Sequence, residues 1–137
     1  MASVPAAATP VAAGPVVADG DAGMPGSLAR VLAEVAAERV AQDVRFGVQE
    51  LPDGTGGEDA AARAGAARDE TDAADRAGAL TWRHILAEEV LEAFAETGGE
   101  HLRTELVQVA AVAVKWIQAL DRRPGAEPVR TTRAAPA

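Results

Sequence analysis

The chain has 137 residues, 34 of them alanine, so much of its 48% hydrophobic content is methyl groups that fill little core volume. Cysteine is absent, which excludes thiol chemistry, disulfides and any cysteine-ligated zinc site. Twenty-one Asp and Glu against thirteen Lys and Arg give a net charge of -8, which argues against a general affinity for nucleic acid polymers.

Residues 1–26 are Ala, Pro, Gly and Val with two aspartates and no period, the composition of a disordered tail. That stretch has no basic n-region and is interrupted by prolines, so it does not read as a secretory signal. Residues 124–137 carry three prolines and read as a second tail. No stretch reaches the roughly 20 apolar residues that span a bilayer, so no membrane partner is expected and the cytoplasm is the default location. Residues 27–123 are left as one domain, with only 25 large apolar side chains to build its core. So thin a core predicts completion by a second copy, a homo-oligomer and in the simplest case a dimer.

Within SLARVLAEVAAERVAQDVRF, Leu28, Val31, Leu32, Val35 and Val40 recur at helical spacing, which predicts a helix capped by Ser27 and closed near Arg45 by Gly47. Pro52, Gly54, Gly56 and Gly57 then predict an irregular loop. From Pro52 to Ala79 there is no large apolar residue. Local propensity over Glu58 to Ala77 favours a helix with little packing energy, and a mobile insertion fits the composition equally well. Thr81 is an N-cap for TWRHILAEEVLEAFAE, with Gly98 and Gly99 as its stop. A fourth helix is expected from about Glu100 to Arg122, and its middle, LVQVAAVAVKWI, is apolar on nearly every face and predicts the most buried element. The fold class is all-α, a bundle of three to four helices.

The acid is concentrated. Between His84 and Glu105 lie six glutamates and one arginine. Glu89 and Glu92 share a helical face, and Glu105 and Gln108 open a helix that is otherwise apolar, where an unpaired carboxylate is costly. Two antiparallel helices joined at Gly98-Gly99 would bring these residues opposite one another. A divalent cation would supply the missing charge, and all-oxygen ligands point to Mg2+, with Mn2+ an acceptable substitute. Glu88, Glu96 and Glu100 read by default as solvated face, and Trp82, Trp116 and Phe94 as core. His84 and His101 lack a third partner for zinc, and Gly54-Thr55-Gly56-Gly57 matches neither a P-loop nor a dinucleotide fingerprint. The R-E-x-x-E-E core of a Nudix hydrolase is absent.

The order E-x-x-E, twelve residues, E-x-x-(D), seen here as Glu89-Val-Leu-Glu92 and Glu105-Leu-Val-Gln108, resembles the metal motif of the all-α nucleoside triphosphate pyrophosphohydrolases, the MazG-like group. QDVRFGVQELPDGTG is similar to a QDxKWGEQxHPDGTG segment of actinobacterial and phage members, and the likeness extends over roughly residues 38–123. Gln108 stands where that group has Asp, and Phe46 where this branch has Trp. The resemblance implies cleavage of a nucleoside triphosphate between its α and β phosphates, giving a monophosphate and pyrophosphate. It implies Glu89, Glu92 and Glu105 as metal ligands, Gln108 as a weak ligand or water anchor, and Glu88 as a base or as a residue that supports the ligands from behind. Arg45 and Lys115 are the expected phosphate donors, and Phe46 the expected stacking surface for a base. The competing expectation is a non-catalytic helical dimer or interaction module on the same scaffold, suggested by Gln108 and the thin core.

Overall fold

Two of the helices start where a side chain takes over an orphan amide of the first turn. A computed structural model of the chain describes residues 23–126, and among these residues there are four helices and no strand. Helix α1 spans Leu28–Phe46, and the Ser27 hydroxyl accepts from the Arg30 amide at 3.1 Å. Helix α3 spans Trp82–Ala95 and opens with a capping box: the Thr81 hydroxyl accepts from the His84 amide, and His84 Nδ1 accepts from the Thr81 amide at 3.1 Å. Helix α4 spans Gly99–Asp121, so Gly99 begins that helix instead of ending α3, and the connection is Glu96, Thr97 and Gly98.

Helix α2, Ala60–Arg76, occupies the segment whose composition left helix and insertion open. It packs closely on α3 without any large apolar residue. Ala64 and Ala67 are buried, Thr71 and Ala74 half-buried, and Ala93 of α3 is 1% exposed. These positions form a seam of small side chains at helical spacing, which lets two backbones approach closely. The Thr71 hydroxyl lies 2.9 Å from the Ala67 carbonyl and 3.3 Å from that of His84, joining α2 to the first turn of α3.

Trp82 at the start of α3 stacks on Trp116 near the end of α4, with ring centroids 6.4 Å apart, while Glu92 near the end of α3 faces Glu105 near the start of α4. The two helices are therefore antiparallel. Helix α1 packs chiefly on α4, and just before its start the Gly26 carbonyl accepts from Gln118 Nε2 at 2.8 Å and Arg122 at 3.2 Å, in the C-terminal part of α4. Gly26 is buried with φ of 75°, and a Cβ there would stand 2.6 Å from Arg122 Cγ, so only glycine fits. Residue 26, assigned by composition to the tail, thus belongs to the folded body. The remaining expectations for the tails, apart from residues 23–26 and 124–126, lie outside the described residues.

Two expectations about burial are corrected. Helix α4 is not the most buried element: Leu102 and Val114 are buried, but Leu106 and Val107 are 49% and 53% exposed. Helix α3 covers one face of α4 and α1 its C-terminal part, so about half of the surface of residues 106 and 107 stays uncovered. Phe94 is 54% exposed instead of core. It lines a cleft of about 470 Å³ with Leu91, Arg63 and the loop from Asp53 to Gly57, and that loop is anchored by the Gly56 amide donating to the Phe94 carbonyl at 2.8 Å.

Candidate metal centre

Three turns of helix are enough to assemble the acidic cluster. Glu89 and Glu92 lie one turn apart on α3, and the three-residue connection returns the chain so that Glu105, in the second turn of α4, faces them. All three side chains are half-buried, and each offers a carboxylate oxygen within 4.8 Å of the other two. Opposite ligands of one magnesium ion stand about 4.2 Å apart, so small side-chain rotations bring these oxygens to ligating distance. Three carboxylates and no sulfur or imidazole form a donor set for a hard divalent cation.

The electrostatics point the same way. Burial, followed by the charges of Glu92, Glu105 and Glu88, holds the Glu89 carboxyl above the ordinary glutamate range. Without a cation the cluster repels itself, and a proton is the smallest charge that relieves it. Helix α2 supplies a second form of relief. The Arg68 guanidinium donates to Glu92 Oε1 at 2.7 Å, with Arg68 55% and Glu92 24% exposed at the side chain. Among the described residues this is the one ion pair made by Glu89, Glu92 or Glu105.

The other expected site residues are scattered. Glu88 is half-buried beside the cluster, and its charge acts on both Glu89 and Arg68. Gln108 is exposed one turn beyond Glu105. Lys115 is exposed about 15 Å further along the α4 axis than Glu105. Arg45 lies over the ring of its neighbour Phe46, 5.6 Å from the centroid, and both are exposed at the end of α1, a helix that packs on the C-terminal part of α4 and not on the carboxylates. The structure therefore brings together Glu88, Glu89, Glu92 and Glu105 and leaves Arg45, Phe46 and Lys115 away from them.

Arg68 was missed by reading the sequence for large apolar periodicity. The signal that locates it is the small-residue seam Ala64, Ala67, Thr71, Ala74, which fixes the face of α2 that meets α3 and puts residue 68 at its border. Between α2 and the carboxylates is a cavity of about 500 Å³ lined by Ala61, Ala64, Gly65, Arg68, Glu92 and Glu105, among others. Comparison with protein families, with curated proteins and with solved structures finds no match to this chain.

Proposed function

We propose that the protein is a magnesium-dependent hydrolase of nucleoside triphosphates, releasing a monophosphate and pyrophosphate, of the MazG-like kind. The observation that carries the proposal is the convergence of Glu89 and Glu92 from α3 with Glu105 from α4, ligating oxygens within 4.8 Å, in a cluster with more negative charge than its one arginine neutralises. Glu89, Glu92 and Glu105 hold the cation, and Gln108, exposed one turn past Glu105, has a neutral carbonyl oxygen to offer it. A divalent cation bound there supplies charge for the phosphate oxygens and acidity for a water. Glu88, outside the ligand set but close enough for its charge to act on Glu89, is our choice for the acceptor of that water's proton. The 500 Å³ cavity against α2 is of a size that accommodates a nucleotide.

The test is purified protein offered a panel of NTPs and dNTPs with Mg2+ or Mn2+ and assayed for pyrophosphate. Release is expected, and Glu89→Ala removes it. Folded protein that releases none under any of these conditions defeats the enzymatic reading.

A second reading is favoured by Gln108 and the sparse core: a non-catalytic helical module that associates with another copy of itself. Its mark is stability indifferent to magnesium. A rise in Tm of several degrees in millimolar Mg2+, lost in Glu92→Gln, counts against it. Self-association fits either reading, because α1 and α4 both leave large apolar side chains exposed.

A further inference from the structure

We propose that Arg68 is an exchangeable counter-ion of the carboxylate cluster: it neutralises Glu92 until a divalent cation takes that carboxylate, and the released guanidinium then binds the substrate's phosphates. The inference rests on reading Glu89, Glu92 and Glu105 as a cation site and adds a residue and an order of events to it.

Four observations support it. Among the described residues Arg68 is the one cation paired with the cluster, and it comes from α2, an element that contributes no carboxylate to the cluster. Its bond to Glu92 Oε1 uses an oxygen of the same carboxylate that a cation would need, so the two positive charges compete for one anion. The exchange improves the charge balance: three glutamates with one guanidinium leave two negative charges, and with one divalent cation in its place they leave one. Finally, the guanidinium has room to move. Arg68 is 55% exposed and borders the 500 Å³ cavity, and a Cβ added at neighbouring Gly65 would meet nothing within 4 Å. A triphosphate held by a cation on Glu92 would lie within the sweep of this side chain, and a guanidinium is suited to phosphate by its planar fork of donors.

The alternative role for such an arginine is to orient Glu92 as a ligand, and the two roles predict opposite signs. If Arg68 competes with the cation, Arg68→Gln binds Mn2+ more tightly than the unaltered protein, by up to about fivefold, the scale of one exposed ion pair. If Arg68 orients the ligand, Arg68→Gln binds Mn2+ less tightly. The experiment is calorimetric titration of the full chain with Mn2+ alone, followed by titration of the Mn2+-saturated protein with inorganic triphosphate. The expected result is tighter Mn2+ binding and about tenfold weaker triphosphate binding in Arg68→Gln, with Arg68→Lys restoring part of the triphosphate affinity because it keeps the charge without the fork. Weaker or unchanged Mn2+ binding in Arg68→Gln, or unchanged triphosphate binding, overturns the proposal and leaves the cation site standing. Absence of Mn2+ binding to the unaltered protein overturns both. Circular dichroism of the variants checks that α2 remains folded, which the exposure of Arg68 leads one to expect.

Discussion

Glu89 carries the largest electrostatic burden of any single residue in the cluster. Its carboxyl is pushed above the ordinary glutamate range by burial and by Glu92, Glu105 and Glu88, so the folded protein holds that proton more tightly than the unfolded chain does. A group of this kind favours folding below its unfolded pKa, and the contribution is lost as pH rises through the raised folded value. Glu89→Gln cannot titrate. Without metal, this variant should therefore have a higher Tm than the unaltered protein at pH 8, with the difference closing as pH falls into the ordinary glutamate range; thermal melts in chelator across that interval read it. In millimolar Mg2+ the order should reverse, since the variant lacks a ligand. Gln108 is the complementary case. Exposed one turn beyond Glu105, it offers one neutral oxygen where an aspartate would add a charge. Gln108→Asp is expected to bind Mn2+ about tenfold more tightly and to raise pyrophosphate release. Unchanged affinity would place residue 108 outside the coordination sphere.

Helix α2 shows why one element was not legible while its neighbours were. The caps Ser27 and Thr81 and the heptad-like run of α1 are local signals, and the structure places those helices within a residue or two of where the sequence puts them. The burial of a helix depends on what packs against it. Nothing in LVQVAAVAVKWI says that α1 covers only one end of α4, so an apolar helix was expected to be central and is half bare. Conversely, Ala64 and Ala67 are buried in a helix with no large side chain, because small residues let α2 close up on α3. The pair Glu89 and Glu92 with Glu105 was readable, because helical spacing and a short turn determine it, whereas Arg68 depended on the unanticipated α2–α3 seam. If that seam holds α2, Ala67→Leu should overpack it and cost about 1–3 kcal/mol in urea unfolding followed by tryptophan fluorescence, with loss of the Arg68 to Glu92 pair. The loop before α2 is held by a different device. Gly56 has φ of 75°, and a Cβ there would stand 2.6 Å from Thr97 Cγ2. Gly56→Ala should cost about 1–2 kcal/mol for the left-handed backbone together with a steric penalty, and Thr97→Ser in the same chain should recover the steric part alone.

At the scale of the whole molecule, two bare apolar surfaces remain to be accounted for. Helix α1 is seated against the C-terminal part of α4, yet further along it Val40 and Val44 are 65% and 84% exposed and Phe46 is 57% exposed. Its i,i+4 pairs, Arg30 with Glu34 and Arg39 with Asp43, stabilise the helix locally but bury none of that surface. On α4 Leu106 and Val107, which follow Glu105 in sequence, are 49% and 53% exposed, and Leu120 is 41% exposed. Single exposed apolar residues are ordinary, whereas several on each of two helices that a single chain leaves partly unpacked are what an association surface would need. The chain should therefore self-associate at micromolar concentration, with light scattering giving at least twice the mass of 14.0 kDa. Val107→Glu places a charge in the middle of the α4 surface and should reduce the mass to that of the monomer while helix content is kept. Because residue 107 lies within a turn of Glu105, the monomeric variant should also bind Mn2+ more weakly, through loss of the packing that holds the start of α4 against α3. A monomer mass for the unaltered protein would show that the exposed stripes of α1 and α4 are tolerated in solution. The α2–α3 seam, the Trp82–Trp116 stack and the buried Ala93, Leu102 and Val114 would then suffice to hold the cluster in place.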